Sequence, residues 1–164
     1  MPVVVATTLA AAAAFAAFHV PLPLRRDGRW VLAEVGGRPA RLLGIAYHLL
    51  LLPAVAALPA PAWAVAAGFA WMLLDTMLEG AQLAGATTDV KPLRDGVHVI
   101  AMAWLIPAGL TGGGVLAVAG TALALAFAAR LALAARRAPA PVWLLRLNAA
   151  LNVIWMVCVA VALR

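Results

Sequence analysis

Six apolar stretches, roughly residues 2–20, 41–58, 61–83, 96–110, 115–135 and 141–163, take up most of this chain, and each is bounded by proline, glycine or charge. A segment needs about 20 apolar residues to cross the hydrocarbon core of a bilayer. Five of the six reach or approach that length, and the stretch at 96–110 is the shortest. The composition agrees: 66% apolar residues, 11% charged residues and a mean hydropathy of +1.04 lie far outside the usage of soluble domains. The expected fold is an all-α integral membrane protein, a six-helix transmembrane bundle forming one polytopic domain over residues 1–164.

The basic residues test the number of spans independently. Arg25, Arg26, Arg29, Arg38 and Arg41 lie between the first two stretches, and Lys91 and Arg94 between the third and fourth. Arg130, Arg136, Arg137 and Arg146 lie at the end of the fifth and the start of the sixth. Eleven of the 12 basic residues therefore share one side, and only Arg164 falls on the other. By the positive-inside rule the shared side is cytoplasmic, which predicts a multi-pass protein of the cell (inner) membrane with both termini on the non-cytoplasmic side. The two outward turns, near residues 59–61 and 112–114, carry no charge. The formal net charge of +6 is thus explained by arginines flanking spans and facing lipid headgroups. The bilayer, and not a nucleic acid, is the expected partner.

In the longest inward loop, residues 28–41 mix Trp30, Val31, Leu32 and Val35 with arginines, which reads as a short interfacial segment at the headgroups. Pro39 and the Gly36, Gly37 pair keep it from forming one long helix. The first stretch is alanine-rich, with an unbroken run over residues 10–14. Small residues four apart let helix backbones approach closely, so a second copy or a partner subunit is expected to pack here if anywhere. The N-terminus lacks a basic region and a small-residue cleavage site, so the first span is expected to be retained. The single cysteine, Cys158, excludes an internal disulfide and reads as a packing residue.

The polar residues inside the spans carry the functional argument. Trp71, Asp75, Glu79 and Gln82 share one face of the third stretch. At about 1.5 Å per residue, Asp75 and Glu79 lie about 13 and 7 Å from its cytoplasmic end, His48 about 10 Å in from Arg41, and Arg130 about 9 Å from Arg136. Arg146 and Asn148 occupy the first two turns of the sixth stretch, and His98 the first turn of the fourth. All of these belong to the cytoplasmic half, which predicts a polar cavity open to the cytoplasm and closed by apolar packing on the outside. Carboxylates in hydrocarbon are costly. Either Asp75 and Glu79 neutralise Arg130 and Arg146 and fix helix packing, or one serves as a proton acceptor or cation contact.

The candidate ligand-binding or proton-handling residues are therefore Asp75, Glu79, Gln82, His98, His48, Trp71, Arg130, Arg146 and Asn148. No metal or other cofactor is expected: no His-Glu-x-x-His motif occurs, and His48 and His98 differ in depth by more than a turn, which disfavours a bis-histidine haem. Asn152 pairs with Asn148 at i, i+4 and reads as a hydrogen-bonding residue between helices. A retinal protein is excluded because the only lysine, Lys91, lies outside the apolar stretches. No phosphate-binding loop, nucleophile elbow or dinucleotide fingerprint is present.

The leading expectation is a bundle that binds or transports a small hydrophobic, amphipathic or cationic molecule against Asp75 and Glu79, with Trp71 and Trp104 as apolar walls. An intramembrane enzyme acting on a lipid or isoprenoid, with Asp75 or Glu79 and His98 in acid–base roles, is the first alternative. A structural subunit of a larger membrane complex is the second.

Overall fold

The computed structural model describes residues 2–19, 37–86 and 91–164. They form six helices and, among the described residues, no strand: α1 (Val3–His19), α2 (Gly37–Ala57), α3 (Ala62–Leu83), α4 (Lys91–Gly112), α5 (Gly114–Ala135) and α6 (Val142–Ala162). The last five are each long and apolar enough to cross a membrane. α1 is a shorter apolar helix of 17 residues, about 25 Å at the usual rise. Of the expected interfacial segment, residues 28–36 lie outside the described residues.

Each helix packs on its neighbours in sequence, and α6 returns to pack on α1, so the bundle closes into a ring. Short turns make the later helices antiparallel. Pro61 and Pro141 stand just before α3 and α6, and their carbonyls accept the first free helical amides, from Ala64 and Val65 and from Leu144 and Leu145. The turn between α4 and α5 is a single residue, Gly113, with φ 67°, followed by Gly114 at φ 50°. Only glycine enters that left-handed region without strain, so three consecutive glycines mark the turn.

Two helices begin earlier than their apolar stretches. α2 starts at Gly37, ahead of residue 41, and α4 starts at Lys91, ahead of residue 96. Pro39 and Pro92 sit in the first turns, where a missing N–H removes no helical hydrogen bond. The extensions draw Arg41, Arg94 and Asp95 from loops into helices.

The outer surface is apolar all round. Leu42, Leu49, Leu73, Met77, Val118 and Leu125 are among many large apolar side chains left exposed. That is expected where lipid is the solvent. Trp63 and Trp143, both exposed, lie in the first turns of α3 and α6, at opposite ends of the bundle, as interfacial tryptophans do. On α1, Val5, Thr8, Ala11, Ala12 and Phe15 face inward, and Ala10, Ala13 and Ala17 face outward. Thr8 satisfies its buried hydroxyl within the helix, donating to the Val4 carbonyl at 2.7 Å.

Candidate functional site

The stripe on α3 points into the bundle. Trp71, Asp75 and Glu79 are buried, the two carboxylates only 3% and 5% exposed, and Gln82 is half-buried at the helix end. One turn apart, these residues form a ladder descending from mid-depth to the end of α3.

Each acid is held from two neighbouring helices. The Trp71 indole donates to Asp75 Oδ2 at 3.0 Å, and His48 Nε2 of α2 lies 3.4 Å from the same oxygen. Arg94 of α4 spans both acids, its Nε 3.4 Å from Asp75 Oδ1 and its Nη2 donating to Glu79 Oε1 at 2.7 Å. Arg41 of α2 reaches Glu79 Oε2 at 3.5 Å and donates to the Gln82 side-chain oxygen. On the α2 side, Gly44 lies against Glu79. A Cβ at Gly44 would lie 3.4 Å from the Glu79 side chain, and the Gly44 carbonyl accepts from His48 Nδ1 at 2.8 Å.

The arginines expected to neutralise the acids are elsewhere. Arg146 is exposed on α6. Arg130 of α5 donates to the Asn148 side-chain oxygen of α6 at 3.2 Å and, among the described residues, has no carboxylate in ion-pair contact. Sequence reasoning missed Arg41 and Arg94 as partners because it left both in loops. Pro39 and Pro92 were the signal that would have placed them in the first two helical turns.

Arg130, Asn148 and Asn152 form a second polar group. Arginine has donors only, so the Asn148 carbonyl must face it. Asn152 Nδ2 donates to the Asn148 backbone oxygen at 2.9 Å. That leaves Asn148 Nδ2 buried without a partner. His98 is not joined to Glu79. Its ring stacks on Phe127 at 4.6 Å, and His19 stacks on Phe15 at 3.9 Å. No group of three or more His, Cys, Asp or Glu side chains close enough to hold a metal ion occurs among the described residues.

Above both polar groups lies an aromatic layer. Trp71 and Trp104 sit 5.9 Å apart, and Trp104 and Trp155 4.9 Å apart nearly edge to face. All three are fully buried, and the indole N–H groups of Trp104 and Trp155 have no hydrogen-bond acceptor. The layer is therefore tightly packed. At about 1.5 Å per residue, Trp71 stands about 18 Å from the Leu83 end of α3, and Asp75 about 12 Å. The site is thus polar below, sealed above, and strung across α2 to α6. The chain matches no protein-family model, no curated protein and no solved structure, so its function rests on this geometry alone.

Proposed function

We propose that this chain is a multi-pass inner-membrane protein that binds, and passes to or from the cytoplasmic side, a small amphipathic molecule held in the inner half of the bundle. The observation that carries this reading is the asymmetry of the interior: ionisable and amide side chains fill one half, and a close-packed tryptophan layer closes the other. The ligand's polar end belongs with Arg130 and Asn148, where the Asn148 amide N–H group is buried without a partner. Asp75 and Glu79 already have arginine partners, so a cationic ligand gains little there.

The test is mass spectrometry of small molecules that co-purify in lipid nanodiscs with the wild type and with Arg130→Met. An amphipath bearing acceptor oxygens is expected in the wild type and depleted about tenfold in the variant, the effect of losing about 1.4 kcal/mol of charged hydrogen bonding. Identical profiles from the two proteins would reject the assignment. Asp75 and Glu79 also support a structural reading, in which two acids and two arginines pin α2, α3 and α4 together. Acid–base catalysis has less support, since both nitrogens of His48 are occupied and His98 stands apart from Glu79.

The orientation belongs to the same proposal: both termini outside and the arginine-bearing ends inside. Single cysteines placed at Gly113 and at Arg137, in a Cys158→Ala background, are expected to react with an impermeant reagent from the outside and from the inside respectively. Labelling of position 137 from outside would invert the map.

A further inference from the structure

The hydrogen-bonding demands around His48 imply a bound proton. Its Nδ1 faces the Gly44 carbonyl at 2.8 Å, and a carbonyl only accepts, so Nδ1 carries a hydrogen. Its Nε2 faces Asp75 Oδ2 at 3.4 Å, an oxygen that already accepts the Trp71 indole hydrogen. A neutral His48 beside an ionised Asp75 would therefore set two lone pairs against each other in the apolar interior. A second proton removes the conflict, and it does so on either atom: an imidazolium beside a carboxylate, or a neutral imidazole accepting from a carboxylic acid. The two forms have the same atoms and the same total charge.

We propose that His48 and Asp75 together form a buried proton-binding site. Asp75 and Glu79 on α3 are matched by Arg41 on α2 and Arg94 on α4, so this network is neutral without the extra proton and carries one positive charge with it. Hydrogen bonding asks for the proton, and charge balance in low dielectric opposes it. The other titratable groups around the pair are Tyr47 on α2, whose ring lies 4.3 Å from the His48 ring, and His98 and Asp95 on α4. α1 contributes His19 and α5 contributes Arg130. Gly44 sets the arrangement, because its carbonyl fixes which ring nitrogen faces the acid. The pair holds its proton whether or not the protein binds an amphipath, and so stands apart from the reading above.

The test reads the protonation states directly in the wild type. Nitrogen-15 spectra of histidine-labelled protein in nanodiscs report both ring nitrogens of His48, with His19→Gln and His98→Gln used to assign the signals. Infrared difference spectra report any protonated carboxylic acid, with Asp75→Asn used to assign its band. At neutral pH the expected result is a hydrogen on Nδ1 together with either a doubly protonated His48 or an Asp75 acid band. A neutral His48 with no acid band at neutral pH would overturn the proposal, as would an Nδ1 without hydrogen. If either occurs while a co-purifying amphipath is found, this inference fails alone. If the proton signature is present and no amphipath is retained, only the ligand reading fails.

Discussion

Arg94→Met is expected to be the most destabilising single substitution in the polar half of the bundle. Among the described residues, Arg94 is the one cation that touches both buried α3 acids, through Nε to Asp75 and Nη2 to Glu79. Methionine fills much of the same volume but leaves Asp75 with Trp71 and His48, and Glu79 with Arg41 alone. Stranding one member of a fully buried pair costs about 3–5 kcal/mol. The Arg94 side chain is 28% exposed, so solvent screens part of the interaction and about 2–3 kcal/mol is the reasonable expectation. At about 2–4 °C per kcal/mol for a chain of this size, that is a fall in melting temperature on the order of 5–10 °C. Arg94→Lys should recover only part of the loss, because one ammonium cannot reproduce two differently directed guanidinium contacts. Adding Glu79→Gln to Arg94→Met should restore some stability by removing a stranded charge. Thermal melting of the four proteins in one detergent decides the matter, and an Arg94→Met protein that melts with the wild type would show that these acids do not depend on it.

The helices were legible in the sequence because lipid makes a severe demand: a spanning backbone must satisfy itself, and only long apolar runs allow that. The inward face of α3 was legible for the same reason, since Asp75 and Glu79 could not face hydrocarbon without cost. Their partners were not. Hydropathy places a boundary where charge begins, so Arg41, Arg94 and Asp95 read as loop, although the helices begin earlier and carry them in their first two turns. Pro39 and Pro92 are helix-opening signals that outrank the hydropathy edge. Arg130 and Arg146 looked equivalent by sequence, yet α5 turns one inward to Asn148 and α6 leaves the other exposed. That difference is one of rotation about the helix axis, and in a helix apolar on every side no periodic pattern fixes it.

The tryptophan layer was equally hidden, because its closure depends on which glycines face which rings, and this yields the second large prediction. A Cβ added at Gly120 of α5 would stand 2.9 Å from the Leu105 backbone oxygen of α4 and 3.2 Å from Trp155 Nε1. A Cβ added at Gly68 of α3 would stand 2.7 Å from Val55 Cγ1 and 2.8 Å from Trp104 Cγ. Both substitutions overfill a packed interior, which costs about 1–3 kcal/mol. Gly120→Ala is expected at the upper end, since a backbone oxygen moves only if α4 and α5 separate, whereas Val55 and Trp104 can yield as side chains. Gly80→Ala is the control. Nothing lies within 4 Å of a Cβ there, and replacing a helical glycine with alanine stabilises by up to about 0.5–1 kcal/mol, less in the last turn where Gly80 lies. The expected order of melting temperature is Gly80→Ala at or above wild type, then Gly68→Ala, then Gly120→Ala. Because the strained contacts surround Trp104 and Trp155, the two overfilled proteins should also show altered tryptophan emission, and the control should not. Gly120→Ala melting at or above the wild type would mean that the layer is looser than these distances allow, and the seal on the outer side of the polar site would go with it.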